Sequence, residues 1–336
     1  MVYSPRRMNW VLHPLTLAYQ MGSRINNCLY NRGIRKTLRT SLPVISVGNL
    51  AFGGSGKTPL VMHVLSFCLK NELSPALITR GYKGRWEKSG GVLSDGDNTY
   101  GTWQDAGDEP YMVSRKFPQI GIYIGRNRLI SCDRAKQAGF TIAILDDGFQ
   151  HRKLHRDLDI VLFDPGERIP LRESLSSLRR ADIILVTEND RSLAKDQLKR
   201  HFPNAKIFSY ATVNAGFFSY PDGSPISAER LHEKNLLSVC GIARPQRFFS
   251  LLEKEGIKPL LSLAFPDHHT YPSSSRKKII LAYKKVKADG VITTEKDIFK
   301  LDDLFKAGQI PFYINKIDLQ VEENFYKELL SLKKEG

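Results

Sequence analysis

The chain has 336 residues, enough for two domains rather than one, and 41% hydrophobic with 25% charged residues is typical of a soluble globular protein. Its net charge of +15 favours a polyanionic partner, such as nucleic acid, an anionic membrane surface or a phosphorylated substrate. The four cysteines lie far apart without a C-x-x-C pair, which argues against a disulfide framework or a structural zinc site.

Residues 1–40 carry seven basic side chains and no acidic one. Within them, apolar residues at 10–30 recur with the spacing i, i+3, i+4, i+7, which predicts an amphipathic helix. The segment is too polar and too short to span a bilayer, and it has no signal-peptide cleavage site. We expect the helix to lie in the interface of an anionic membrane; packing on the protein's own core is the alternative.

The stretch at 44–58 reads VISVGNLAFGGSGKT and predicts a phosphate-binding loop. A β-branched run indicates a buried strand, a glycine-rich turn follows, and the apolar period then becomes helical, as a P-loop requires. The N–H groups of such a turn, together with the helix N-terminus, bind phosphate oxygens. We expect the nucleotide-binding residues to be Ala51, Phe52, Gly53, Gly54, Ser55, Gly56, Lys57 and Thr58.

Two side chains of this loop have distinct predicted roles. Lys57 would neutralise charge on the β- and γ-phosphates, and the Thr58 hydroxyl would bind Mg²⁺. The strict P-loop pattern begins with glycine where this chain has Ala51. An ordinary glycine-rich turn between a strand and a helix is therefore the alternative.

Adjacent acidic residues follow two later elements. Asp108 and Glu109 precede Pro110 at a predicted helix start, where acids complement the helix dipole, so simple helix capping is the alternative to catalysis. Farther on, an apolar strand at 141–145 ends in Asp146 and Asp147, as a Walker B element does. In a parallel sheet such side chains lie together at the carboxyl ends of the strands, where ligands bind. An acidic turn without a metal role is the alternative.

Alternating strands and helices at 44–187 predict a doubly wound, mostly parallel α/β sheet. We expect a basic amphipathic helix at 1–40, a P-loop domain at 41–205, a β linker at 206–235 and a smaller α/β domain at 236–336 that closes over the active site. In the smaller domain Asp267 precedes His268 and His269. We expect a histidine here to act as a base or to orient another group. A zinc site is disfavoured, because the sequence offers no further ligands that could be assigned to it.

Several motifs together resemble the tetraacyldisaccharide 4'-kinase family, the lipid A 4'-kinases. They appear in the family's order over nearly the whole chain: VGNLAFGGSGKTP at 47–59, TRGY at 79–82, AGDEP at 106–110, DDGFQHRKLHRDLDI at 146–160, LRE at 171–173, GIARPQRFF at 241–249, PDHH at 266–269 and TEKD at 294–297. Threonine stands at 79 where serine is common, and the segment between 164 and 171 is shorter than expected.

The resemblance implies an ATP-dependent kinase that phosphorylates the 4'-hydroxyl of a tetraacyldisaccharide 1-phosphate lipid, giving lipid IVA. It also implies Mg²⁺ and a peripheral position on the cytoplasmic face of the inner membrane of Gram-negative bacteria. The matching motifs imply that Asp108 is the catalytic carboxylate and that His268 is its partner. Lys57 is the third residue to which they give a catalytic role. The metal region comprises Thr58, Asp146, Asp147 and Glu173. Substrate-binding or rim positions are Glu109, Arg126, Arg128, His151 and Arg172.

Two other functional classes remain as alternatives. A P-loop switch or assembly NTPase that acts on a protein partner would use the same glycine-rich loop, although a guanine-reading Asn-Lys-x-Asp is missing from the sequence. A nucleic-acid binder is suggested by the charge alone, because no recognisable DNA- or RNA-binding motif accompanies it. We therefore expect no nucleic-acid partner.

Overall fold

The computed structural model describes residues 13–51, 56–164, 171–187, 193–308 and 310–331. The predicted phosphate-loop residues Phe52, Gly53, Gly54 and Ser55 lie outside the described residues, as do residues 1–12. None of the described helices is long and apolar enough to cross a membrane.

The strands are β1 (Val44–Asn49), β2 (Pro75–Thr79), β3 (Gly91–Asp95), β4 (Gly121–Ile124), β5 (Ile142–Asp146), β6 (Leu158–Phe163), β7 (Ile183–Thr187), β8 (Lys206–Tyr220), β9 (Pro225–Ile226), β10 (Leu236–Cys240), β11 (Leu261–Ala264), β12 (Gly290–Thr294) and β13 (Phe312–Val321). The helices are α1 (His13–Asn31), α2 (Lys57–Lys70), α3 (Trp86–Ser89), α4 (Trp103–Ala106), α5 (Asp108–Lys116), α6 (Arg128–Gln137), α7 (Leu193–His201), α8 (Ala228–His232), α9 (Pro245–Lys254), α10 (Ser273–Lys285), α11 (Ile298–Gly308) and α12 (Asn324–Ser331), with a 3₁₀ helix at Leu175–Arg180.

The described strands form one continuous mixed sheet in the order β11-β10-β12-β13-β8-β7-β6-β1-β5-β2-β4-β3, with β9 beside β8. The run from β8 through β7, β6, β1, β5 and β2 to β4 is parallel, and β3 is an antiparallel edge. The central strands β1, β2 and β4 are buried throughout, as strands covered by helices on both faces must be. The predicted α/β class with a mostly parallel sheet is confirmed.

A second parallel group, β11-β10-β12-β13, joins the first through a long antiparallel pairing of β13 with β8. The predicted linker therefore begins as a 15-residue strand. The far end of β13 and helix α12 return to the first group, where Leu319, Val321, Phe325 and Leu329 join the core that contains Ile45 and Leu60. The last part of the predicted smaller domain thus packs with the larger domain. We therefore propose that the smaller domain ends before residue 319 and not at residue 336.

Glycine at position 48 lets β1 approach the loop that follows β5. A Cβ atom built at Gly48 would lie 2.5 Å from the Cβ atom of Phe149, whose side chain is fully buried. Any larger residue would push this loop away from β1. The close approach brings the two acidic residues at the end of β5 next to the end of β1.

Helix α1 contacts the rest of the protein through polar groups. Gln20 donates to the carbonyl of Leu171 at 2.7 Å, and Ser23 donates to Glu173 at 3.2 Å. The apolar side chains of Met21 and Ile25 are each 61% exposed. These apolar side chains are therefore not covered by the described part of the protein.

Candidate active site

One end of the candidate site lies where β1 ends and α2 begins. Gly56 precedes α2 with φ of 82°, and Lys57 is the first helical residue. The Lys57 ammonium lies 3.0 Å from Asn49 Oδ1 and 3.1 Å from Asp147 Oδ1. Ala51 forms an isolated β-bridge to Leu171. The strand, the lysine and the helix N-terminus are therefore placed as in a phosphate-binding loop.

Asp147 follows β5 with φ of 53°, a left-handed conformation that is uncommon outside glycine. Arg172 donates to both carboxylate oxygens, at 2.7 and 2.9 Å, and Arg128 donates to the Asp147 carbonyl at 3.1 Å. Burial alone would raise the pKa of Asp147, but the charges of Lys57 and Arg172 hold it well below its usual range. Asp147 is therefore an anion that holds both Lys57 and Arg172 at this end of the site.

Asp146 has a different environment from its neighbour. Its Oδ2 accepts a hydrogen bond from Thr79 at 3.0 Å, while the buried Oδ1 has no hydrogen-bond partner among the described residues. Burial, with the negative charges of Glu109 and Asp147, raises the pKa of Asp146 to about 6. An unpaired buried oxygen in a negative surrounding is the donor that a divalent cation satisfies.

The described residues fit a magnesium ion bound partly by substrate. No group of three or more His, Cys, Asp or Glu side chains that could hold a metal occurs in the described part of the chain. Mg²⁺ in phosphoryl-transfer sites takes one or two protein oxygens and completes its shell with phosphate and water. Asp146 and Thr58, which line the same cleft, supply such a partial set.

Glu173, for which the motif predicts a metal role, is not among the described residues that line the cleft. Its buried carboxylate accepts from Arg180 at 2.7 Å and from Ser23 of α1 at 3.2 Å. The carboxylate is already paired with a cation. These contacts connect Glu173 to α1, whereas its neighbour Arg172 lines the cleft. The metal role of Glu173 stays a prediction.

The second end of the site is an aspartate–histidine pair. Asp108, the first residue of α5, is 6% exposed, and its Oδ1 and Oδ2 lie 2.8 and 3.0 Å from Nδ1 of His268. The partners are 160 residues apart in sequence, and His268 has φ of 58°. Burial alone would raise the pKa of Asp108, but the His268 hydrogen bond and the charges of Lys296 and Lys300 lower it well below its usual range.

Two lysines that sequence reasoning did not single out surround this pair. The Lys296 ammonium lies 3.0 Å from Glu109, 3.2 Å from Asp267 and 3.4 Å from Nε2 of His268. Burial would raise the pKa of Glu109, but Lys296 lowers it. The TEKD motif contains Lys296 and could have identified it. Lys300, buried beside Asp108, follows that motif by one helical turn and had no signal of its own.

The predicted rim residues lie around the same cleft. Arg126 pairs with Glu87 at 3.1 Å, and Glu87 also binds Arg80, which the sequence analysis did not assign. Arg128 is buried against Asp147. Burial, followed by the charge of Arg128, lowers the pKa of His151 to about 4, so that imidazole is neutral near pH 7.

A single cleft of about 1570 Å³ connects both ends of the site. Its lining extends from Gly56, Lys57 and Thr58 past Asp146 and Asp147 to the Asp108–His268 pair. The opposite wall comes from the 241–249 motif and includes Arg244, Arg247 and Phe248. Tyr19 of α1 also lines the cleft. Helix α1 therefore contributes one side chain to the wall of the cleft.

Known proteins are similar in sequence to nearly the whole chain. The sequence model of the family described as Tetraacyldisaccharide-1-P 4'-kinase matches residues 8–334. A protein named tetraacyldisaccharide 4'-kinase from Desulfotalea psychrophila is 35% identical over 338 residues, with 94% of each chain covered. A protein of the same name from Desulfatibacillum aliphaticivorans is 34% identical, covering 96% of this chain and 93% of the relative.

A solved structure has the same fold. The "apo" form of LpxK from Aquifex aeolicus, in complex with ATP, aligns with a TM-score of 0.75 and 28% sequence identity. The alignment covers 97% of this chain and 98% of that chain. The similarity thus includes both ends of the cleft.

Proposed function

The chain belongs to the tetraacyldisaccharide-1-phosphate 4'-kinase family, and on that premise we propose how its cleft transfers the γ-phosphate of ATP to the 4'-hydroxyl of a tetraacyldisaccharide 1-phosphate. The product is lipid IVA, in lipid A biosynthesis. The observation that carries the proposal is the single cleft that joins a phosphate-binding end to an aspartate–histidine pair. A switch NTPase would need the phosphate-binding end but not the aspartate–histidine pair.

The phosphate end holds the triphosphate of ATP. Lys57 neutralises charge on the β- and γ-phosphates, and its contacts with Asn49 and Asp147 keep the ammonium at the helix start before ATP arrives. Arg172, fixed by two hydrogen bonds to Asp147, lies at the same end. Because these cations are already oriented, little reorganisation is needed when charge develops on the transferred group.

Thr58 and Asp146 would hold Mg²⁺ beside the phosphates. The bound ion supplies neutralisation of charge on the β- and γ-phosphate oxygens. Its protein ligands would be the Thr58 hydroxyl and the unpaired Oδ1 of Asp146. Thr79 orients this carboxylate through its hydrogen bond to Oδ2, so that Oδ1 remains available.

His268 accepts the proton of the attacking 4'-hydroxyl, and Asp108 orients it. The Asp108 carboxylate is ionised and accepts a hydrogen bond from Nδ1, so in the neutral ring Nε2 carries the lone pair. The Lys296 ammonium lies 3.4 Å from this nitrogen. Asp108 itself is less suited to act as the base, because its low pKa makes it a weak proton acceptor.

The lipid substrate reaches the cleft from a membrane surface, and we place the protein peripherally on the cytoplasmic face of the bacterial inner membrane. The support is α1, whose polar side contacts the protein while Met21 and Ile25 are exposed beside the cleft. An apolar helix face adds binding energy to the attraction between a +15 protein and anionic lipid.

The variant M21E/I25E is expected to lose membrane association. Two glutamates replace exposed apolar side chains and also repel anionic lipid, so co-sedimentation with vesicles of phosphatidylethanolamine and phosphatidylglycerol should fall at least several-fold. The control is L281E, which places glutamate at a 69% exposed leucine on α10. If both variants sediment like the wild type, α1 is not the membrane anchor.

The lipid-kinase hypothesis and the switch-NTPase hypothesis differ in the molecule that stimulates ATP turnover. We expect ADP release to depend on the tetraacyldisaccharide 1-phosphate, with one phosphorylated lipid formed per ADP. A switch NTPase would instead hydrolyse ATP in response to a protein partner and leave the lipid unmodified. Parallel measurement of ADP and lipid phosphate distinguishes the two.

A further inference from the structure

Lys300 is a fully enclosed cation next to the catalytic pair. It lies in the first turn of α11 with 2% of its surface exposed. Its ammonium is 3.2 Å from Asp108 Oδ2 and 3.1 Å from Asp297 Oδ1. Burying a lysine charge is costly unless it is paired, so this position is stable because it has two carboxylates.

Asp297 fixes the lysine to the second group of strands. Its Oδ2 accepts from the Gly241 amide at 2.9 Å and from the Thr294 hydroxyl at 2.8 Å. Gly241 directly follows β10, and Thr294 is the last residue of the parallel strand β12. The Tyr271 ring covers the ammonium, with its centroid 5.7 Å from Nζ. The lysine therefore presents its charge to Asp108 from a fixed point.

Asp108 is in turn held between two parts of the protein. It belongs to α5 in the first group, while His268 and Lys300 belong to the second. Its Oδ1 also accepts from the Glu109 amide at 3.0 Å. With Lys300 on Oδ2, the carboxylate cannot rotate away from Nδ1 of His268 without breaking an ion pair in a buried site.

We propose that Lys300, anchored by Asp297, is a positioning residue for phosphoryl transfer, which keeps Asp108 ionised and oriented toward His268. The inference rests on the proposed role of the Asp108–His268 pair. Lys300 is not among the described residues that line the cleft, so it acts through Asp108 and not on substrate. Lys296 differs, because it lines the cleft directly.

The variant K300M tests this role with a neutral side chain of similar length. We expect kcat to fall by ~10–10²-fold, part of the ~10²–10⁴-fold that a positioned base contributes, while KM for ATP stays within about twofold. Loss of the cation removes the charge that lies 3.2 Å from Asp108 and therefore favours protonation of that carboxylate. The acid limb of the kcat–pH profile should therefore move upward by about one pH unit.

Other titratable groups around the pair are unchanged in this variant, so the shift reports on Lys300 alone. They are Tyr82, Lys83, Glu109, Asp267, His269, Tyr271, Lys296 and Asp297. The matched control is K306M, on the same helix but with its side chain 70% exposed. We expect its kcat and pH profile to equal those of the wild type.

A purely structural role predicts a different pattern. K300M would then lose active protein and melting temperature together, with an unmoved acid limb in the fraction that remains, and that result overturns the proposal. The variant K300R retains the charge, and a wild-type acid limb in it supports the proposal. A K300M enzyme with wild-type kcat and pH profile also overturns it. Inactivity of the wild type toward the lipid would instead contradict the proposed function.

Discussion

The variant H268Q is expected to lower kcat by ~10²–10⁴-fold, because it removes the group that accepts the 4'-hydroxyl proton. Glutamine retains polar atoms of similar reach but has no basic nitrogen. His268 does not contact Lys57 or Asp147, so KM for ATP should change little. Steady-state kinetics with ATP and the disaccharide lipid measure both parameters.

Two further variants test the division of labour within the pair. D108N removes the oriented anion but leaves the imidazole, so its loss in kcat should be smaller than that of H268Q. The double variant should be no slower than H268Q, since the two residues act as one unit. The control is H269Q. His269 contacts Ser275 and stacks on Phe265, outside the Asp108–His268 pair, so its replacement should leave kcat close to that of the wild type. A wild-type rate in H268Q would exclude His268 as the base.

The variant K57M is expected to reduce kcat/KM for ATP by ~10²–10³-fold. Methionine fills a similar volume but cannot neutralise the charge that develops on the transferred phosphoryl group. Arg172 still pairs with Asp147, so the loop after β5 should remain in place and the melting temperature should change little. Kinetics at saturating lipid, with ATP varied, measure the loss.

The control for this variant is K70M, at the opposite end of the same helix. Lys70 is exposed in the last turn of α2 and far along the helix from the phosphate end. Its replacement should leave kcat/KM within about twofold of the wild type. Equal rates in K57M and K70M would mean that the lysine of the predicted P-loop does not bind phosphate.

Local patterns predicted the strands that form the centre of the sheet. The β-branched run before the glycine-rich turn is β1, and the apolar run that ends in Asp146 is β5, because a strand buried on both faces must be apolar throughout. The sequence predicts a β linker at 206–235 but not the length of the 15-residue strand β8 with which it begins. This strand is stabilised by pairing with β13 about a hundred residues later, which no local pattern contains.

Site residues divide in the same way. Lys57 and Asp146 could be predicted because a P-loop and a strand-ending aspartate have local signatures. The partnership of Asp108 with His268 came from family resemblance, since the two are 160 residues apart. Burial of Lys300 depends on two carboxylates from different elements, and Glu173 is paired by Arg180 and Ser23. The role of a charged residue depends on such partners. Because the partners come from distant parts of the chain, the sequence around the residue does not reveal them.

The most direct test of the account is to identify the product of the wild-type enzyme. The full chain is incubated with γ-³²P-labelled ATP, Mg²⁺ and tetraacyldisaccharide 1-phosphate in mixed micelles, and the lipid is separated by chromatography and examined by ³¹P NMR. We predict one labelled lipid with a second phosphomonoester at the 4'-position. Label that appears only as inorganic phosphate, with the lipid unchanged, would contradict the account.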